Sequence, residues 1–500
     1  MPEPPDAQTT GEVPQADVAM AAAQGSLRSL TVRGASNLAM REAAGMGIRL
    51  IGVTIVVRII GPTSYGIYAA AAAFVVLVST LAQGGTEIFL IRMKEEPTEE
   101  TYSAAHGYLL VTSLSLSALA LILSIPVASF VRSPETILTF RVLILSVPAN
   151  VMWAPAQAAI ERRFDYRKMG LIEVAGDVVL YATAISLAFA GFRQWSLVFG
   201  FIAWQVWLFV MSLLWSGLRF RPRWNTQLSK EMVRHSSSYG PTQWLEAVGQ
   251  VSNPIIVGST LGVTGVGYVA FANRLVQTAA FARRGSWRLG VVSMARVDDN
   301  RRMRRAVQDG ITLQALAVGT PVCLLAALSP LIVPNVFGSK WTPSVLLIAF
   351  FAVAAILQSM GGFMATTMYA KGRNLPPLVG GILRQTVTIS IAALLVPRLG
   401  LRGYGLAVLC GSGSFIYLGT VLHRSSLGVS VSRLLPFVVS LVGIALTPLV
   451  PGPLRLVLLI PAAVTLGVPR FRRELQSLGT LVWTALRHDR AAGPSVPAKA

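Results

Sequence analysis

Of the 500 residues, 53% are hydrophobic and only 13% charged, with 43 Lys and Arg against 22 Asp and Glu and a net charge of +21. The mean hydropathy of +0.60 leaves too little polar surface for a soluble protein of this size, and long apolar runs recur throughout, so the chain reads as an all-α polytopic membrane protein. The runs are continuous rather than short and alternating, which argues against a β-barrel. Cys323 and Cys410 both lie in apolar runs, against a disulfide framework or a metal site, and no GxxxxGK[ST] motif is present for ATP hydrolysis at a P-loop.

The N-terminus, MPEPPDAQTTGEVPQADV, is Pro-rich and acidic and lacks the basic start and apolar core of a cleaved signal peptide. Residues 1–26 are expected to form a disordered cytoplasmic tail. About fourteen spans follow, near 42–60, 67–90, 104–131, 138–160, 170–191, 195–217, 243–262, 265–295, 308–335, 343–368, 376–396, 401–422, 433–450 and 454–470. Prolines interrupt the last two (LTPLVPGPLRLVLLIP), so twelve is the alternative count. Residues 476–500 are read as a cytoplasmic tail.

With the N-terminus inside, most Lys and Arg fall in cytoplasmic loops: ERRFDYRK (161–168), the 218–236 segment with Arg219, Arg221 and Arg223, and DDNRRMRR (298–305). The basic excess is therefore a topology signal rather than a nucleic-acid footprint. Both termini are expected in the cytoplasm of a bacterial inner membrane. The outside connections are very short, leaving no room for an extracytoplasmic catalytic domain.

Three outside turns share a G-x4-G spacing: IGPTSYGIY with Gly61 and Gly66, LGVTGVGYV with Gly262 and Gly267, and LGLRGYGLA with Gly400 and Gly405. A fourth, GFRQWSLV, has Gly191 and Ser196 in those places. Glycine there permits a tight, left-handed turn between helices. Spans 1 and 5 thereby match spans 7 and 11, a shift of six helices. The reading is two six-helix lobes, residues 27–217 and 237–425, related as parallel repeats around a central cavity. A basic linker, 218–236, joins them, and two extra helices follow within 426–475.

Charges inside the spans mark the candidate site. Arg274 lies about 13 Å into span 8, near mid-membrane. Arg274, Gln277, Arg284 and Arg288 fall within about 80° of one another, while Arg283 points the other way and is read as snorkelling. Gln243, Glu246, Gln250 and Asn253 form one face of span 7. Glu246 is deep enough to pair with Arg274 or Arg284, or to bind a coupling cation. Arg49 and Arg384 are further deep cations, whereas Arg58 and Arg141 sit near the outer interface, where snorkelling explains them. A charge at mid-bilayer costs at least about 2.5–3.5 kcal/mol on insertion scales, so these stripes are expected to face partners or water. A cationic cavity suits an anionic substrate, because arginine forks bind phosphate bidentately.

The segments VRIIGPTSYGIYAAAAAFVV, LAQGGTEIFLIR, AAIERRFDYRKMGLIEVAG, IIVGSTLGVTGVGYVAFANRL and FGSKWTPSVLLIAFFAVAAILQSMGGFMATTMYAKGR occur in an order and spacing that resembles bacterial polysaccharide exporters. These are the lipid-linked oligosaccharide flippases of the multidrug/oligosaccharidyl-lipid/polysaccharide exporter superfamily. The likeness runs from about residue 30 to about residue 440. Arg58 and Arg274 stand where the family pattern has arginine. Gln83 replaces a frequent acidic residue, and Ser259 lies where Arg or Lys is common.

The resemblance implies an inner-membrane, non-enzymatic exporter for exopolysaccharide or lipopolysaccharide assembly. It would move polyprenyl-diphosphate-linked glycans by alternating access, with no cofactor and with H+ or Na+ as the candidate coupling ion. The implied partners are the lipid-linked glycan, membrane lipids, and a glycan polymerase with glycosyltransferases. Arg49, Arg274, Gln277, Arg284, Arg384, Gln243 and Gln250 would contact substrate, with Glu246 as the coupling or gating carboxylate. A drug–cation antiporter of the same fold and a non-transporting scaffold of a glycan-assembly complex are the alternatives.

Overall fold

The computed structural model describes residues 15–124, 133–163, 165–281, 300–425, 435–450, 454–467 and 476, with side chains of the first helix described from Gly45 onward. Arg283, Arg284 and Arg288 lie outside the described residues.

The first helix, α1, runs Gln15–Gln83 and is broken at Gly61 (φ 76°, ψ 175°). Helicity from Gln15 replaces the latter part of the tail expected over 1–26. The alanine-rich run after Val18 has high helix propensity, and the Pro-rich acidic stretch ends before it. Then follow α2 (Thr86–Arg92), α3 (Glu99–Ile122), α4 (Pro134–Ile144), α5 (Val147–Met152) and α6 (Ala154–Arg162). The first half closes with α7 (Tyr166–Phe189) and α8 (Gln194–Ser216).

The second half begins with α9 (Thr226–Ala279), broken at Gly262 (φ 68°, ψ −177°). It continues with α10 (Asn300–Ile332), α11 (Ser344–Ala370), α12 (Leu375–Leu399), α13 (Leu401–Ser412) and α14 (Ser414–Arg424). The chain then adds α15 (Leu435–Leu446) and α16 (Leu454–Gly467).

The basic linker expected over 218–236 is therefore shorter. Asn225 caps α9 by accepting from the backbone N–H groups of Gln227 and Leu228, and helix begins inside the basic segment. What remains of the linker is pinned to α3, with the Arg223 N–H donating to the Ser103 carbonyl at 3.0 Å.

The chain is a multi-pass membrane protein. Among the described residues nine helices are long and apolar enough to cross a bilayer, ten if the bent pair Pro134–Ile144 and Val147–Arg162 counts as one. The apolar stretch Gly45–Arg92 has 48 residues, about 72 Å of straight helix against a hydrocarbon core of about 30 Å. The break at Gly61 thus separates spans 1 and 2, and Gly262 does the same for spans 7 and 8. The count of fourteen is not confirmed. Within spans 13 and 14 the described residues hold helices of 12 and 14 residues.

The arginines of ERRFDYRK serve the fold. Arg162 donates to the carbonyls of Leu90, Ile91, Met93 and Glu95, closing the end of α2, and Arg163 donates to Ser216 at the end of α8. Asp165 caps α7 through the Lys168 N–H, and the Lys168 side chain holds its carboxyl below the usual carboxylate range.

The internal repeat meets itself at the two broken turns. Thr63 Oγ1 and Thr264 Oγ1 are 3.0 Å apart, and these residues are 201 positions apart in sequence, the same offset as Gly61 to Gly262 and Gly66 to Gly267. A Cβ on Gly66 would lie 1.9 Å from the Val263 carbonyl oxygen, and one on Gly267 would lie 2.1 Å from that of Pro62. Glycine is required at both positions because backbone meets backbone there.

Beside this contact Tyr65, Phe271 and Phe337 pack around buried Trp341, with ring centroids of Tyr65 and Phe271 at 5.7 and 4.4 Å from its own. Arg58 reaches across to the carbonyls of Asn335 and Val336 at 3.1 and 2.8 Å. This guanidinium, expected to snorkel, instead fastens the first half to the second. Arg141, also expected to snorkel, donates to Ser124 Oγ at 3.1 Å. The seam between the halves is therefore shut at the G-x4-G end.

Candidate functional site

Behind the shut seam two clusters gather most of the charges singled out in the sequence. The first joins both halves. Asp177 and Tyr181 lie one helical turn apart on α7 and so share a face. Asp177 pairs with Arg49 Nε at 3.4 Å, and Arg49 Nε also donates to the Gly45 carbonyl at 3.0 Å. Gly52 lets Tyr181 lie against α1, since a Cβ there would strike the ring at 2.2 Å.

Arg274, from the second arm of α9, stands near Tyr181, Tyr65 and Tyr68, close enough to interact with each electrostatically. Tyr65 and Tyr181 are buried, whereas Arg274 and Gln277 keep exposed surface.

The second cluster belongs to the second half. Glu246 on α9 pairs with Arg384 on α12, and Arg384 also reaches Gln358 Oε1 on α11 at 3.5 Å. The Glu246 side chain remains 52% exposed, against 20% for Arg384, so this carboxylate borders open space. Gly249 admits Gln385 between α9 and α12, where a Cβ would fall 1.9 Å from Nε2. Asn253 accepts from the hydroxyl of buried Tyr404. Gln243 and Gln250, on the same stripe, are exposed.

The pairing expected between Glu246 and Arg274 does not form. Arg384 takes Glu246 because α12 packs on the face of α9 that carries Glu246 and Asn253, while Arg274 lies beyond the break at Gly262 and turns to α1 and α7. The expected set of diphosphate-holding arginines also changes character. Arg49 and Arg384 are each matched by a carboxylate, whereas among the described residues no carboxylate pairs with Arg274. Arg284 lies outside the described residues.

The aromatic neighbours Tyr68 and Tyr181 were not singled out in the sequence. The usable signal for Tyr181 was its spacing of four residues from Asp177, which puts both on one helical face. No group of three or more His, Cys, Asp or Glu side chains positioned for a metal ion occurs among the described residues.

Residues 55–346 match the family described as "Polysaccharide biosynthesis protein". The succinoglycan biosynthesis transport protein ExoT of Rhizobium meliloti (strain 1021) is 24% identical over 242 residues, 47% of each chain. The matched region thus spans about half the length of this curated relative. Among solved structures, the lipid II flippase MurJ in an inward closed conformation is similar with a TM-score of 0.63 at 12% identity, covering 85% of this chain and 96% of that one. An inward-facing multidrug-resistance transporter of the MATE family gives 0.62 at 15% identity, covering 76% and 96%. At such identities the likeness is one of fold, and the fold is that of these transporters.

Proposed function

The chain belongs to the polysaccharide biosynthesis protein family, and from that premise we propose that it is a flippase for a lipid-linked oligosaccharide. It carries a polyprenyl-diphosphate-linked glycan across the bacterial inner membrane by alternating access and catalyses no covalent chemistry. The observation that carries the reading is Arg274. This guanidinium lies beside tyrosines of the first half, keeps exposed surface, and has no paired carboxylate among the described residues. A cation so placed is costly unless an anion or water completes it, and a diphosphate supplies both charge and bidentate acceptors.

Gln277, one turn along from Arg274, and the exposed Gln243 and Gln250 are the neutral polar groups of this reading. Glu246 is the coupling group: release of Arg384 frees its carboxylate for a proton or sodium ion. A drug–cation antiporter would present a carboxylate where Arg274 stands. The charge bias places both termini in the cytoplasm, where glycosyltransferases deliver substrate, and a glycan polymerase takes it on the far side.

Deleting the gene should make polyprenyl-diphosphate-linked oligosaccharide accumulate on the inner leaflet, read by mass spectrometry of extracted lipids. Normal precursor levels with polymer export unimpaired would refute the proposal.

A further inference from the structure

Away from the Arg274 cluster, the first half holds a cavity of about 230 Å³. Two helical faces line it. From α1 and α2 come Ser79, Gln83 and Glu87, and from α5 and the helix after it come Asn150, Trp153 and Gln157. Ser79 and Gln83 are one turn apart at the end of α1, Glu87 follows across the Gly84–Gly85 turn in the first turn of α2, and 150, 153 and 157 recur at three and four as one stripe.

The polar groups are held in place by one another. Asn150 donates to Ser79 Oγ at 2.8 Å, Gln83 leans toward Glu87 Oε2 at 3.5 Å, and Gln157 Nε2 donates to Glu161 at 3.1 Å. Gln157 is only 8% exposed, and its Oε1 has no hydrogen-bond partner among the described residues. A buried amide oxygen in that state is open to a donor from outside the protein, a water or a ligand hydroxyl.

The chemistry of the lining selects the ligand class. No cationic side chain is among the lining residues, so the cavity is not a second phosphate site. It is too large for a single bare cation, and its amides, hydroxyls and carboxylate offer both donors and acceptors. An indole stands among them. Neutral polyhydroxylated rings need this combination, with directional hydrogen bonds at the rim of the ring and an apolar face against an aromatic surface.

We propose that this cavity is a carbohydrate subsite, taking a sugar ring of the glycan head while Arg274 takes the diphosphate. The inference rests on the flippase reading above for the second half of that statement only. Tyr68, near Arg274, and Ser79, in the cavity, are eleven residues apart on one arm of α1, about 17 Å along its axis. That separation suits a diphosphate at one end and a sugar a few units along at the other. Gln157 Oε1 accepts from a ring hydroxyl, Asn150 and Glu87 fix its neighbours, and Trp153 stacks on the ring face.

The test is saturation-transfer NMR on the full chain in nanodiscs with free glucose-, galactose-, N-acetylglucosamine- and uronate-containing tetrasaccharides as probes. Wild type should transfer saturation to at least one probe. Trp153→Ala and Gln157→Leu should each cut that signal at least fivefold, while Trp153→Phe, which keeps an aromatic face, should retain most of it and shows that loss is not unfolding. No transfer from wild type to any probe, or equal transfer from Trp153→Ala and Gln157→Leu, overturns the subsite. If wild type flips lipid-linked glycan without binding free sugars, the subsite fails and the flippase stands. If it binds sugars and moves no lipid, the subsite stands and the flippase fails.

Discussion

Cross-linking a Thr63→Cys/Thr264→Cys double variant under oxidation is expected to stop lipid transport almost completely, and reductant should restore it. The two hydroxyls already touch at 3.0 Å across the repeat axis, which brings the replacement thiols within reach of a disulfide. Exit of a glycan at this end requires the G-x4-G turns to part, breaking the Gly66–Val263 and Gly267–Pro62 backbone approaches and the Arg58 bonds to Asn335 and Val336. A covalent bond there forbids the parting and leaves the opposite end free. The experiment replaces Cys323 and Cys410 with Ala, since Cys323 is buried and Cys410 is exposed. Transport at half the reduced rate or more by fully cross-linked protein would show that the seam does not open at these turns.

The second large effect is expected at Arg274. Arg274→Gln keeps length and polarity but removes the charge and the fork. Hydrogen bonds to charged groups contribute about 1.5–3 kcal/mol, so transport at subsaturating lipid should fall about ten- to hundredfold. Arg274→Lys should recover part of the loss, because an ammonium restores charge without bidentate geometry. Tyr181→Phe removes only the hydroxyl beside the guanidinium and should cost severalfold. The readout is initial leaflet-exchange rate at matched protein density. A rate for Arg274→Gln within twofold of wild type would return this residue to a structural role.

The architecture was largely legible in the sequence because membrane helices announce themselves by length and apolar composition, and the glycine turns recur after six helices at an offset of about two hundred residues. The turns' mutual contact was not legible. Periodicity shows that two segments are equivalent but not that they meet on a shared axis. The N-terminal boundary was missed because charge and proline dominate the reading of residues 1–26, while helix propensity changes inside that window at the alanine run.

The site was legible as a list of costly residues. Any charge at mid-depth must be compensated, and that argument found Arg49, Glu246, Arg274 and Arg384. It could not assign partners, since depth along a helix leaves the facing helix undetermined. The pairings of Arg384 with Glu246 and of Arg49 with Asp177 were therefore not legible. Gln83 and Glu87 stood out singly in the sequence, but Asn150 and Gln157 did not, because neutral amides in an apolar run carry no charge to mark them and nothing in the sequence shows that the two segments face each other.

The measurement that bears most directly on the central claim is leaflet exchange in proteoliposomes. Purified protein is reconstituted with a fluorescent polyprenyl-diphosphate oligosaccharide under an imposed proton or sodium gradient, and the fraction accessible to an external quencher is followed in time. The flippase account predicts protein-dependent exchange that slows when the lipid carries the glycan on an uncharged linkage in place of the diphosphate. Equal exchange of both lipids, or none of either from folded protein across gradients of both ions, would contradict it.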